Sequence, residues 1–334
     1  MKAVVYGAGA IGSLLGAILH KAGHDVALVA RQNHVNMIRE HGLKVKGLEE
    51  FIIEINATTE PSCIDGADVV FLTVKTQDTT RAVEEFSSYL GTSTPVVSLQ
   101  NGIRNPKLIS ELIGPTRVIP GVVRFTASYL TPGEIEYTRK GNCIIGELDG
   151  KETERIKQLC DYMSSGITTE ISTNIESDLW AKLVLNLMNL PLALTGSGFP
   201  KSLQNKHLRQ ILVASWDEGR NVVKESGIEP NYRVLDQLMA VFSNDALFES
   251  WMKQEIDSHD FISSTYQSLL RGTSIEEEFL TGEILSLGEK YGIATPVSSL
   301  LMQKLQNMMH SGNIEPISPE TLWNSIDIVK SSKS

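Results

Sequence analysis

Between Asp178 and Thr195 (DLWAKLVLNLMNLPLALT) an apolar stretch carries one lysine and two asparagines, Lys182, Asn186 and Asn189. Read as a helix at about 100° per residue, these three fall within one narrow arc. A helix that is apolar nearly all round is a buried one. An ammonium there is costly unless it is paired or used. A lysine with amides on the same line can donate to a carbonyl oxygen, hold a substrate's polar groups and pass a proton. A solvated stripe on a half-exposed helix would give the same pattern, so the stretch alone leaves both readings open.

The rest of the chain supplies what such a lysine could serve. Lys2 to Tyr6 (KAVVY) is a short β-branched run that ends in Gly7-Ala8-Gly9-Ala10-Ile11-Gly12, and a helical pattern follows from Ile11 to about Lys21. This is G-x-G-x-x-G with a strand before it and a helix after it. Gly7 permits the tight turn, Gly9 lets backbone approach a pyrophosphate, and Gly12 lets the helix sit close to the strand. The helix N-terminus then faces the phosphates. His24 to Arg31 (HDVALVAR) reads as the second strand. Where an NAD site places an acid for the ribose hydroxyl, this chain has Arg31, 19 residues after Gly12. A cation suits a 2′-phosphate, so the expected cofactor is NADP(H); a surface arginine is the plainer alternative.

Asp68 to Val74 (DVVFLTV) is the continuous apolar run of a strand covered on both faces, and it ends at Lys75. Pro95 to Leu99 is the next strand and runs into Gln100-Asn101-Gly102. Ligands of open α/β sheets sit beyond the carboxyl ends of the strands, so Lys75 and Asn101 are placed toward the nicotinamide end. After Val118 the pattern becomes antiparallel, with strands expected at Gly121 to Tyr129, Gly133 to Tyr137 and Asn142 to Glu147. A helix over Lys151 to Ser164 and a last strand over Thr168 to Ile171 complete this half. From Asn174 strand signals nearly vanish. Helices are expected over 175–194, 206–226, 231–242, 260–271, 275–290 and 296–310, with a polar, frayed tail from Lys330. The fold class is therefore α/β: a Rossmann-type doubly wound sheet over 1–172 and an all-helical domain over 173–330, for substrate and dimerisation. Ser263-Ser264-Thr265 opens one of these helices. Glu276, Glu277 and Glu278 open another, where acids complement the helix dipole and one could still turn inward.

Composition narrows the partners. The chain has 334 residues and a net charge of −10, with no lysine or arginine block, which argues against nucleic acid. No apolar run is long enough for a membrane span, and the N-terminus lacks the apolar core of a signal peptide. Cys63, Cys143 and Cys160 are odd in number and unclustered, so reduced thiols in a cytoplasmic protein are expected, with no zinc site or other metal. Monomer and homodimer are both open.

A glycine motif on the first strand, a lysine ending the fourth strand, Asn-Gly ending the fifth, then W-x-K-L-x-x-N on the first helix of an α domain: in this order the chain resembles the ketopantoate reductase (2-dehydropantoate 2-reductase) family, from Met1 to about residue 310. The resemblance implies that Lys182 is the catalytic lysine and Asn186 the first of two substrate-binding asparagines. It implies that Ser264 binds substrate and that Glu276, twelve residues on, is the family's glutamate near cofactor and active site. Gly7 to Gly12, Arg31, Lys75 and Asn101 match its NADPH contacts, and Ala127 matches a further backbone contact. Asn101 would also help polarise the substrate carbonyl. One departure stands out. The family's second asparagine lies four residues after the first and directly before proline; here Leu190 precedes Pro191, and the asparagine is Asn189.

The implied reaction is NADPH-dependent reduction of 2-dehydropantoate to (R)-pantoate, a step toward pantothenate and coenzyme A, with Lys182 as proton donor. A relative acting on another 2-oxo or 3-hydroxy acid and a non-catalytic NADP-binding sensor are the competing readings. The shifted asparagine favours the first of these. The intact set Lys75, Asn101, Lys182, Ser264 and Glu276 argues against the second.

Overall fold

The computed structural model describes residues 1–255 and 260–331. The chain divides into two compact units, Met1–Leu179 and Trp180–Ser334.

In chain order the first unit carries β1 (Lys2–Tyr6), α1 (Ala10–Lys21), β2 (Asp25–Val29), α2 (Gln32–His41), β3 (Leu43–Gly47), β4 (Phe51–Ile53), β5 (Asn56–Thr58) and β6 (Val69–Leu72). It continues through α3 (Thr79–Phe86), β7 (Val96–Ser98), α4 (Asn105–Ile113), β8 (Val118–Val123), β9 (Thr126–Thr131), β10 (Glu134–Arg139), β11 (Cys143–Ile145), α5 (Glu154–Ser164) and β12 (Thr169–Ile171). The main sheet has the order β12-β11-β8-β7-β6-β1-β2-β5. Strands β5 to β8 in this order pair in parallel throughout. Their β-branched residues are buried on both faces, as helix-covered parallel sheets require. β1 lies between β2 and β6, so the chain turns back across the sheet at β1, and the crevice at such a switch is where α/β sheets bind ligands.

The expected single strand Gly121 to Tyr129 is two strands. β8 stays in the main sheet, and β9 leaves it to pair with β10 in a second sheet of order β4-β3-β10-β9. The break falls at Arg124, whose N–H turns to the Asn142 carbonyl. Three short strands, β3 to β5, lie outside the expected set, so Lys75 and Asn101 follow the sixth and seventh strands in chain order rather than the fourth and fifth.

α6 (Ile175–Asn186) carries the division between the units within its length. The second unit continues with α7 (Asn189–Leu194), β13 (Gly198–Phe199), α8 (Lys206–Glu225), α9 (Arg233–Ser243), α10 (Asp245–Glu255), β14 (Phe261–Ile262), α11 (Ser264–Leu270), α12 (Thr281–Tyr291), α13 (Pro296–Ser311) and α14 (Pro319–Ser331). The helix expected over 175–194 is therefore two helices. Pro191 has no N–H to give, and its ring would meet the carbonyl four residues back, at Leu187. The ladder tightens there: the Leu187 N–H reaches the Val184 carbonyl and the Met188 N–H the Leu185 carbonyl, three residues back instead of four.

The helical domain is also not free of strand, because β13 and β14 form a two-stranded pair. The helix expected from 275 begins later, as a single 3₁₀ turn over Glu277–Phe279 followed by α12. α10 and α14 are further helices. α14 runs through Lys330 to Ser331, where a frayed tail was expected, with Leu322 and Ile326 in the core against α7, α8 and α13. Ser332 to Ser334 lie outside the described residues.

α8 is the post that holds α6. Asn205 caps it, accepting from the His207 and Leu208 N–H groups. Trp216 is 0% exposed and donates from Nε1 to the Leu185 carbonyl at 3.1 Å, near the end of α6. One turn on, a Cβ on Gly219 would stand 2.4 Å from Leu187 Cδ1, so this helix comes close where α6 ends. Among the described residues no helix is long and apolar enough to cross a membrane.

Candidate active site

In the first unit the glycine turn follows β1 directly. The Gly7 and Ala8 N–H groups both donate to the Val29 carbonyl, tying the turn to the end of β2. Gly7 has φ of 98°, a conformation that side chains rarely adopt. A Cβ on Gly12 would meet Thr73 Oγ1 at 2.4 Å and the Gly7 carbonyl oxygen at 2.8 Å, so α1 can start this close to the sheet only without a side chain there. Gly9 differs: the nearest atom a Cβ would meet is 3.9 Å away. Open space beside bare backbone, at the N-terminus of a twelve-residue helix, fits a pyrophosphate. Arg31 follows β2, is exposed, and occupies the N-cap of α2, where its guanidinium can take a phosphate.

Lys75 and Asn101 stand at the ends of neighbouring strands, β6 and β7, and both are half-buried. A buried polar network holds their two turns together. Thr76 Oγ1 and Asn105 Nδ2 both donate to the Asn101 carbonyl, at 3.0 and 2.7 Å. Gln100 Nε2 donates to the Val74 carbonyl and to Thr79 Oγ1, and Thr79 donates to Asn105 Oδ1. Thr76, Thr79, Gln100 and Asn105 were not anticipated as parts of the site. Each pairs with residues more than twenty positions away, so no local spacing signals it. Ala127 lies on β9, an edge strand of the second sheet, half-buried against the core.

In the second unit Lys182 and Asn186 share one helix face, four residues apart on α6. Lys182 is half-buried and Asn186 is 7% exposed. Asn189 is not on that helix; it opens α7 beyond the break. The single helix expected to carry all three therefore carries two of them, and Asn189 follows the 3₁₀ step. Its backbone is fixed from another direction, because Ser263 Oγ donates to the Asn189 carbonyl at 3.0 Å.

The three consecutive hydroxyls at 263–265 have different duties. Ser263, 1% exposed, caps α11 by accepting from the Tyr266 N–H. Thr265 donates to Glu277 Oε1 at 2.5 Å. Ser264 alone is exposed. The three glutamates divide likewise. Glu278 is exposed and Glu276 half-buried, while Glu277 is the one turned inward. Glu277 is 0% exposed, and its second oxygen accepts from Thr281 Oγ1 at 2.8 Å. The carboxylate thus joins α11 to α12 and fixes the backbone on which Ser264 and Glu276 ride.

Burial pushes the Glu277 carboxyl above its ordinary value of 4.5, against the lowering effect of the two threonines. An acid whose folded pKa is raised binds its proton more tightly in the native state. Its contribution to stability is complete below 4.5 and is lost as pH rises through the folded pKa. Glu277→Gln has no such loss. Denaturant unfolding of both forms across this range should show the glutamine form gaining relative stability as pH rises; parallel curves would refute it.

Among the described residues no group of three or more His, Cys, Asp or Glu side chains could hold a metal ion. The parts present can bind a dinucleotide through one unit, and can offer an ammonium, amides and a hydroxyl to a small polar ligand through the other.

Comparison with known proteins covers both units. The family model for ketopantoate reductase PanE/ApbA matches residues 3–150, and the model for its C-terminal part matches residues 174–309. A 2-dehydropantoate 2-reductase of Archaeoglobus fulgidus is 30% identical over 91% of this chain and 96% of its own. A crystal structure of a PanE/ApbA family ketopantoate reductase from Ralstonia eutropha JMP134 is similar with a TM-score of 0.78 and 28% identity, over 93% of this chain and 99% of that one. The ternary structure of a D-mandelate dehydrogenase with NADH and anilino(oxo)acetate has a TM-score of 0.81 over 94% of this chain and all of that one. At 24% identity it speaks for the fold alone.

Proposed function

The chain belongs to the ketopantoate reductase family, and on that premise we propose that it reduces 2-dehydropantoate to (R)-pantoate with NADPH. The observation that supports this most is that the family match runs through both units, on either side of the division in α6. The nucleotide-binding half is 1–172 and the substrate half 173–330.

Gly7 to Gly12 hold the pyrophosphate and Arg31 the 2′-phosphate, while Lys75 and Asn101 hold the nicotinamide end, with a backbone contact at Ala127. Bound NADPH supplies the hydride. Negative charge then develops on the ketone oxygen, and Lys182 donates to that oxygen and gives it a proton. Asn101 helps polarise the carbonyl. Asn186, Asn189 and Ser264 hold the substrate's hydroxyl and carboxylate, and Glu276 takes the place of the family's glutamate. Three free cysteines support a reducing, cytoplasmic location.

A stoichiometric assay tests the reading. Each NADPH consumed with 2-dehydropantoate should yield one pantoate, and no turnover with a protein that binds NADPH would refute it. Arg31→Ala should weaken NADPH about tenfold and leave NADH nearly unchanged, since an exposed charge-assisted contact is lost. Equal effects on the two cofactors, measured by titration, would assign Arg31 to the surface.

A second reading, reduction of a different 2-oxo acid, draws on Asn189. It opens a separate helix instead of extending the line of Lys182 and Asn186, so the second amide would meet a substrate from another angle.

A further inference from the structure

His34 is 2% exposed and takes no part in the chemistry above. It sits in the first turn of α2, the helix whose N-cap is Arg31. Its ring is held from two sides. The N–H of Gly133, between β9 and β10, donates to Nδ1 at 2.8 Å, and Tyr129 Oη lies 3.2 Å from the same atom. Nε2 lies 3.0 Å from Ser13 Oγ on α1.

The protons in this group can be assigned. A backbone N–H can only donate, so Nδ1 is an acceptor and the ring proton sits on Nε2. Nε2–H therefore donates to Ser13 Oγ. The one proton of the Ser13 hydroxyl goes on to the Ala8 carbonyl, 3.1 Å away. Burial agrees with a neutral ring, pushing the histidine down to about 4. The chain of donors ends on the glycine turn. Ala8 already donates its own N–H to the Val29 carbonyl at 2.9 Å, so both polar groups of this residue are held.

We propose that His34 is a positioning residue for the dinucleotide: through Ser13 it fixes the Ala8–Gly9 peptide, and with it the backbone that meets the pyrophosphate. This rests on the cofactor reading above. The ring's other edge only packs the β9–β10 hairpin, so the two nitrogens have separable duties. Glutamine at 34 can place an amide N–H near the Nε2 position and keep the donor to Ser13. Asparagine can place its oxygen near Nδ1 and keep the acceptor for Gly133, but cannot reach Ser13.

NADPH titrations of the full chain without any oxo acid, with the thermal midpoint of the cofactor-free forms measured in parallel, distinguish these duties. Ser13→Ala and His34→Asn should each weaken NADPH by about three- to tenfold. The double variant should be no weaker than either single one. His34→Gln should stay within about twofold of the unmodified protein while its midpoint falls, because Gly133 loses its acceptor. Equal losses for the asparagine and glutamine forms, or Ser13→Ala binding like the unmodified chain, would overturn the proposal and leave His34 as packing. Should His34→Asn fail to fold, Ser13→Ala decides alone. No NADPH binding by the unmodified protein would overturn the cofactor reading and this inference with it.

Discussion

Lys182→Ala should lower kcat by about 10²–10⁴-fold, the contribution expected of a positioned general acid, while the affinity for NADPH stays unchanged. The contrast follows from where the lysine sits. It is on α6, in the helical unit, whereas Gly7 to Gly12, Arg31, Lys75, Asn101 and Ala127 are in the other unit. Removing a half-buried side chain leaves the anchoring of the helix intact, because Trp216 holds its end through the Leu185 carbonyl. The loss should therefore appear in single-turnover reduction and not in the thermal midpoint. A variant with normal turnover would remove Lys182 from the mechanism. A variant that loses NADPH binding and stability together would make it structural.

Gly12→Ala should weaken NADPH and destabilise the cofactor-free protein, whereas Gly9→Ala should weaken NADPH alone. At Gly12 the new methyl would stand 2.4 Å from Thr73 Oγ1 and 2.8 Å from the Gly7 carbonyl oxygen. Neither neighbour can easily yield, since Thr73 donates to that same carbonyl at 2.9 Å. Overpacking of this kind costs about 1–3 kcal/mol. A turn that shifts to relieve the clash moves its N–H groups off the pyrophosphate, and losing one charge-assisted hydrogen bond there lowers the affinity about tenfold. At Gly9 the methyl meets no protein atom within 3.9 Å, so it would occupy the space left for the ligand. Titration and thermal unfolding of the two variants check this. Equal destabilisation by both would mean that Gly9 is fixed by packing and not by a ligand.

The glycine turn was legible in the sequence because each of its three glycines has a separate steric reason, and the strand before and helix after fix the context. Lys75 and Asn101 were legible as strand ends, since a strand's carboxyl end is set by where its apolar run stops. The course of the chain after Leu187 was less so. Pro191 sits in the sequence in plain view, but apolar periodicity runs straight across it and conceals a helix break. Glu277 was hidden for another reason. Three acids in a row look like dipole complementation, and only Thr265 and Thr281 show which one turns inward. His34 had no signal, because Ser13 and Gly133 lie 21 and 99 residues away in the chain. The α10 and α14 helices were missed where charged residues interrupt short apolar patterns, and packing against the other helices decides their form.

The identity of the substrate is decided by kcat/KM with NADPH across a panel of 2-oxo acids. 2-Dehydropantoate should rank first, and Lys182→Ala should lower every member of the panel. Another 2-oxo acid ranking first, or no NADPH oxidation with any of them by a protein that binds NADPH, would contradict the proposed function.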